Sequence, residues 1–126
     1  ELIQLSKRSG VGPELSLIQV LKISSNSQFE KRFVGTPLMR PRRAGLLRNC
    51  AVVAANTGCV ECVDTLLECA RGDSSPIVRQ HCGWAISVLV KKFSARSQSW
   101  LEDVLFQLRR DSDDSVRTEA IRLLEN

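Results

Sequence analysis

Apolar residues recur at every third or fourth position along most of this chain, and polar residues fill the positions between them. This spacing is typical of α-helices with one buried face, because residues three and four apart lie on the same side of a helix. Alternating runs rich in β-branched residues, which would indicate strands, are absent from the sequence. The pattern therefore predicts an all-α fold, with helices over 13–23, 25–34, 42–56, 60–71, 76–93, 97–110 and 112–126.

Glycine and proline residues divide the chain into three parts. Gly35 is placed to end the second helix. Pro37 and Pro41 each disfavour helix in the preceding residue, so we predict an extended connector between the second and third helices. The predicted organisation is a single domain with N-terminal helices (1–35), the connector (36–41) and a region of helical repeats (42–126).

A short pattern occurs three times: an apolar residue, an arginine, two variable residues and a small residue. It stands at Leu47–Ala51, Val78–Cys82 and Val116–Ala120, with spacings of 31 and 38 residues. A period of this length with two helices is typical of α-solenoids, so we predict an α-α superhelix of HEAT-like helix pairs. We expect Arg79 and Arg117 to bond to carboxylates or helix-end groups of the acidic turns beside them.

The predicted core follows from the same helical pattern. Its members are Leu47, Val53, Leu66, Val78, Trp84, Ile86, Leu105, Val116, Ala120 and Ile121, together with Phe29, Phe33 and Trp100. His81 lies three residues before Trp84, and with no nucleophile or metal ligand in the pattern it indicates a packed, hydrogen-bonded residue. No paired carboxylates, glycine-rich phosphate loop or Ser/His/Asp set is present, so we predict no catalytic residue.

The positive charge of the chain is concentrated in one segment. The chain has 126 residues, which suits one domain, and a formal net charge of only +4. From Lys31 to Val60, however, there are six basic residues and no acidic residue, which indicates a polyanionic partner. No apolar run approaches the roughly 18 residues of a membrane span. Because the first residue is Glu1 rather than Met, we expect a fragment of a longer protein.

The five cysteines do not form a recognisable set of metal ligands. Cys59 and Cys62 make one C-x-x-C pair, but a zinc site needs a second pair and a ferredoxin-type cluster needs a tighter run of cysteines. The number is odd, and most of the thiols lie in apolar helical segments, which indicates buried residues in a reducing cytoplasm. We therefore expect no bound zinc or iron in this chain.

Two stretches resemble the C-terminal domain of epoxyqueuosine reductases: "FEKRFVGTPLMRPRRAGLLRNCAVVAANTG" and, further along, "PIVRQHCGWAI" with the three residues before it. The family has a short helix ending in F-x-G, an arginine-rich connector, R-G-L-x-R-N, and later V-R-x-H-x-x-W-A. Within Phe29–Ile86 the matching residues are Phe33, Gly35, Arg40, Gly45, Arg48, Asn49, Asn56, Arg79, His81 and Trp84. The chain departs from the family at Ala44, where Arg is frequent, at Ala55 in place of Gly, and at Cys50 and Cys82 in place of Ala.

The resemblance implies a HEAT-like domain at the C-terminal end of a larger oxidoreductase. Epoxyqueuosine reductases make queuosine in certain tRNAs by reducing an epoxide on the wobble nucleoside. They use cobalamin and two 4Fe-4S clusters, which are held by upstream catalytic and ferredoxin-like domains. The resemblance further implies that this domain is cytoplasmic, holds no cofactor itself and docks the anticodon arm of the tRNA.

The predicted RNA-binding residues are Arg40, Arg42, Arg43, Arg48 and Asn49. An extended connector would let the first three reach phosphates, and the start of the next helix would add partial positive charge. Arg48 and Asn49 lie a turn or more inside that helix, where they would buttress the connector or pair with acidic residues of the next repeat. The alternative function is a generic HEAT-like module that binds protein, whose affinity would not fall steeply as salt rises.

Overall fold

The computed structural model of the chain describes residues 2–3, 15–39, 42–93 and 98–125. Its helices are α1 (Leu17–Leu21), α2 (Asn26–Phe33), α3 (Arg42–Thr57), α4 (Val63–Gly72), α5 (Pro76–Phe93), α6 (Gln98–Leu108) and α7 (Asp114–Glu125). Single 3-10 turns at Pro37–Met39 and Val60–Cys62 precede α3 and α4. The all-α prediction is confirmed, apart from one antiparallel pairing of β1 (Leu2–Ile3) with β2 (Leu15–Ser16).

Helix α5 lies at the centre of the packing. It contacts α3 and α7, which flank it, and it also packs on α4 and α6, which contact each other. Helix α1 packs against α3 and α4. The helices are therefore arranged in two layers, with α3, α5 and α7 in one layer and α4 and α6 in the other. Whether the pairs wind into a superhelix stays a prediction.

The first described helix is shorter than the sequence predicts. Helix α1 begins at Leu17 rather than at Pro13, because Leu15 and Ser16 pair with the other strand. Ser16 then caps the helix, since its Oγ accepts a hydrogen bond from the Gln19 N–H at 3.5 Å. Pro13 lies outside the described residues.

The connector is folded where we predicted an extended segment. Pro37–Met39 form a 3-10 turn, in which the Met39 N–H donates to the Thr36 carbonyl at 3.1 Å. The Thr36 hydroxyl donates in turn to the Phe33 carbonyl at 2.7 Å and ties the turn to the end of α2. The fixed φ of a proline suits the first position of such a turn, and this local geometry prevails over the tendency of X-Pro segments to extend.

One continuous core runs through the layers, and most of the predicted core is confirmed. Val53 and Trp84 are only partly buried and pack on the edge of the core. The prediction for Ile121 is wrong, because 42% of this residue is exposed. Val116, Ala120 and Leu123 form the buried stripe of α7, and Ile121 follows Ala120 by one position, about 100° around the helix. The side chain of Trp100 lies outside the described residues.

Candidate functional site

Arg43, a predicted RNA-binding residue, is part of the packed interior. It is only 3% exposed, and its guanidinium pairs with the carboxylate of Asp73. Its Nε also donates to the Ile23 carbonyl at 2.8 Å, which joins the start of α3 to the end of α1. The expectation of a surface arginine at this position is wrong, because the first turn of α3 directs Arg43 towards the neighbouring turn.

Arg79 and Arg117 form hydrogen bonds with the acidic turns beside them, as the sequence predicts. The Arg79 guanidinium donates from Nε and Nη2 to the two oxygens of Asp111, at 2.7 and 2.8 Å. This hydrogen bonding lowers the pKa of Asp111 from its ordinary value. Arg117 donates to the Asp111 carbonyl at 2.6 Å and pairs with Asp114. These arginines serve the fold, and their charges are matched by carboxylates.

The side chain of Arg42 is exposed, whereas that of its neighbour Arg43 is buried. It begins α3 in a left-handed backbone conformation, with φ of 63°. A cleft of about 290 Å³ between α2 and α3 is lined in part by Arg42, Met39, Asn26 and Glu30. Arg42 is therefore a cation that a ligand can reach, with one carboxylate on the opposite wall.

Arg48 and Asn49 lie one to two turns inside α3. Asn49 is exposed and Arg48 is half-buried. The Nε and Nη2 of Arg48 donate to the Asn49 Oδ1 at 3.3 and 3.2 Å. The expected pairing with an acidic residue of the next repeat is not found within the described ranges. The amide holds the guanidinium in place and leaves its positive charge free to bind an anion.

The last of the predicted RNA-binding residues, Arg40, lies outside the described residues. Lys31 and Arg32 are exposed at the end of α2 and supply further positive charge to the segment. Among the residues of the acid-free segment that the structure describes, Arg43 is neutralised by a carboxylate, whereas Lys31, Arg32, Arg42 and Arg48 remain accessible cations. We call Arg42, Arg48 and Asn49, the predicted residues of α3 that stay at least partly accessible, the α3 polar face.

A groove that the sequence does not reveal lies beside the α3 polar face. It has a volume of about 320 Å³ and is lined by Val52 of α3, Gln80, His81 and Trp84 of α5, and Glu119 and Arg122 of α7. The His81 Nδ1 lies 2.9 Å from the Ile77 carbonyl. Since a carbonyl only accepts hydrogen bonds, Nδ1 carries a proton, and in the neutral ring Nε2 is the acceptor. The predicted hydrogen-bonded role of His81 is confirmed, but the residue lines a groove and is only partly buried.

A second basic patch lies at the C-terminal ends of α4 and α6, and our sequence analysis did not predict it. Arg71, Arg109 and Arg110 are exposed there. The Gln107 side chain donates to the Arg71 carbonyl at 3.3 Å, and the Arg109 guanidinium lies 5.0 Å from the ring centroid of Phe106. The sequence does mark this patch with a repeated R-x-D motif, which occurs as "RGD" and "RRD". The aspartates of the two motifs, Asp73 and Asp111, form ion pairs with Arg43 and Arg79.

The cysteines do not fit the ligand set of an iron-sulfur cluster. Cys59 and Cys62 are fully buried, and burial raises the pKa of the Cys62 thiol above its ordinary range. Among the described residues, no group of three or more His, Cys, Asp or Glu side chains is placed to hold a metal ion. That the chain holds no metal stays a prediction.

Within the described part of the chain, no helix combines the length and the apolar character that crossing a membrane requires.

The chain is 39% identical over 61 residues to an epoxyqueuosine reductase of Xanthomonas campestris pv. campestris. This match covers 48% of the chain and 17% of that protein. The chain is also similar to the crystal structure of epoxyqueuosine reductase with a tRNA-Tyr epoxyqueuosine-modified tRNA stem loop, with a TM-score of 0.71. The resemblance to epoxyqueuosine reductase is confirmed.

The two comparisons contribute different information. The solved epoxyqueuosine reductase is 21% identical to the chain, so this likeness shows the fold, over 90% of the chain and 29% of that structure. The Xanthomonas epoxyqueuosine reductase supplies the similarity in sequence. The chain thus spans less than a third of either protein. No protein-family model matches the chain.

Proposed function

We propose that this chain is a helical tRNA-docking part of an epoxyqueuosine reductase-like enzyme of queuosine synthesis. In this proposal it binds the anticodon stem-loop through the α3 polar face. The observation that carries the proposal is the common fold over 90% of the chain with an epoxyqueuosine reductase whose structure was solved with a tRNA stem loop. The 39% identity to a second such enzyme supports the same function.

The charges of the described residues support an RNA partner. A folded stem-loop is recognised chiefly by its shape and its phosphates, so a docking surface needs accessible cations on a rigid support. Arg42 and Arg48 meet this requirement on a helix of 16 residues, and Asn49 adds an exposed amide. Arg40 precedes this helix by two positions and belongs to the proposal on its sequence. Arg43 does not, because Asp73 neutralises it in the interior.

The catalytic chemistry is proposed to belong to other parts of the same enzyme. Cobalamin and the two 4Fe-4S clusters would lie in the upstream catalytic and ferredoxin-like domains, where they would supply the reducing electrons. In this proposal the residues of the chain itself would bind and orient the RNA. The proposal places the chain in the cytoplasm.

The proposal is tested by the affinity of this chain for a fluorescein-labelled anticodon stem-loop, measured by anisotropy. We expect Arg42→Ala with Arg48→Ala to weaken binding by about 1–3 kcal/mol, taking hydrogen bonds to charged groups as a guide. The matched control is Arg109→Ala with Arg110→Ala, which removes the same charge from the second basic patch.

An unchanged affinity in the α3 variant, with helicity intact by circular dichroism, would contradict the proposal. Equal losses in both double variants would indicate general attraction between charges. Absence of RNA binding by the native chain would favour the alternative of a module that binds protein.

A further inference from the structure

The groove between α3, α5 and α7 combines aromatic, amide and charged side chains in one small space. We call it the His81–Trp84 groove, after the two ring side chains that line it. The two residues are three apart on α5, so their rings lie on the same side of the helix. Trp84 packs on the edge of the core with part of its surface and leaves the rest accessible. A fixed aromatic surface of this kind can stack on a flat heterocycle.

The polar lining of the groove suits a neutral ligand. Arg122 Nε donates to the Glu119 Oε1 at 3.0 Å, so the cation inside the groove is balanced by a carboxylate. Gln80 adds an amide that can both donate and accept hydrogen bonds. A phosphate would meet the Glu119 carboxylate, whereas a neutral base with donors and acceptors on its edge would find partners of both kinds. The volume of about 320 Å³ lies at the lower end for small-molecule sites.

Unbalanced charge lies beside the groove. Val52 forms part of its wall, and Arg48 precedes Val52 by one helical turn on the same side of α3. Arg48 contacts the Asn49 amide and no described carboxylate. A cation at the rim and a neutral, aromatic interior match the two parts of a nucleotide, because the phosphate is charged and the base is not.

We propose that the His81–Trp84 groove binds one unpaired base of an RNA loop. The base would stack on Trp84 and form hydrogen bonds with Gln80 and His81, while Arg48 would hold the adjoining phosphate. This inference rests on the proposed function and extends it, since it adds recognition of a base to the binding of phosphates. Single-stranded RNA is commonly read in this way, by stacking on aromatic side chains and by hydrogen bonds to exposed base edges.

The test compares the native chain with Gln80→Glu, which places a negative charge in the groove and leaves the packing intact. The matched control is Gln107→Glu, the same change at an exposed position of α6. The probes are the anticodon stem-loop and a series of stem-loops with one abasic loop position each. We expect one abasic position to weaken binding to the native chain about tenfold, within the range for one stacked base. Gln80→Glu should weaken binding of the intact loop by a similar factor and of that abasic loop much less.

Trp84→Leu gives a second measurement, with Trp84→Phe as the variant that keeps an aromatic ring. We expect the leucine variant to lose the preference for the intact loop and the phenylalanine variant to retain most of it. Equal effects of Gln80→Glu and Gln107→Glu on all RNAs would overturn the groove proposal and leave phosphate docking in place. If Arg42→Ala with Arg48→Ala also left every affinity unchanged, the proposed function itself would fail.

Discussion

Arg79 and Asp111 form an ion pair that helps to join the turn after α4 to the turn after α6. Its Nε and Nη2 bind both carboxylate oxygens of Asp111, at 2.7 and 2.8 Å, and its Nη1 donates to the Asp73 carbonyl at 2.8 Å. Asp73 follows α4 and Asp111 follows α6, so one guanidinium fixes the distance between these two turns. Asp73 pairs in turn with Arg43, which donates to the Ile23 carbonyl. A chain of arginine–aspartate pairs therefore runs along this edge of the fold.

Arg79→Ala should lower the stability of the chain substantially. The side chains of Arg79 and Asp111 are only 13% and 11% exposed, so removal of the arginine leaves a carboxylate without its partner. We expect the free energy of unfolding to fall by about 2–4 kcal/mol, below the largest losses at fully buried pairs. Urea denaturation measures this quantity. Arg122→Ala is the control, since Arg122 makes an exposed pair within one helix and its loss should have little effect.

The same pair should make the stability of the chain depend on pH in the acid range. Hydrogen bonding to Arg79 lowers the pKa of Asp111 in the folded state below its unfolded value of about 4. The stabilisation is therefore fully present above that pH and is lost as the pH falls through the lower, folded-state pKa. Urea denaturation at a series of pH values should show this loss in the native chain and a weaker one in Asp111→Asn. An identical pH dependence in the two proteins would contradict this role of Asp111.

The repeated arginine pattern shows which contacts can be predicted from the sequence and which cannot. The repeat correctly predicts the turn contacts of Arg79 and Arg117, but the same pattern at Arg48 has a different outcome. Arg79 and Arg117 are the fourth residues of their helices, whereas Arg48 is the seventh residue of α3. That extra turn carries Arg48 away from the acidic edge, and Arg43 takes the place at Asp73. The distance of each arginine from the start of its helix decides this difference, so the repeated pattern by itself does not predict which contact the arginine makes.

The groove could not be predicted because it depends on three helices that are distant in the sequence. His81 and Trp84 share a helix face, which the spacing does show. Their accessibility depends on how closely Val52 and Glu119 approach from α3 and α7. The helices, most of the core and the arginine-containing turns follow from local periodicity, whereas this space follows from the packing of whole helices.

All five thiols should be protected in the native state. Cys50, Cys59, Cys62, Cys69 and Cys82 are free and buried. Burial raises the pKa of Cys50 to about 12, and although a hydrogen bond with Cys82 lowers the pKa of Cys69, that thiol is only 7% exposed. Because the thiolate is the reactive form, we expect almost no reaction with Ellman's reagent within minutes at about pH 8. Five thiols should react in concentrated guanidinium, and rapid labelling without denaturant would contradict the observed packing.

The chain should contain no stoichiometric zinc or iron after purification under reducing conditions. Cys59 and Cys62 lack further ligands at suitable positions among the described residues, and their thiols are buried. Elemental analysis checks this prediction directly. One metal ion per chain that disappears in Cys59→Ser would contradict it.

The central claim, RNA docking through Arg42 and Arg48, is tested most directly by the salt dependence of stem-loop binding. The affinity of the native chain should fall steeply as salt rises, because each neutralised phosphate releases counterions. For Arg42→Ala with Arg48→Ala we expect the slope of log affinity against log salt to flatten by about 1.4 to 1.8, corresponding to two lost phosphate contacts. An unchanged slope, with the variant folded by circular dichroism, would mean that these arginines do not contact RNA.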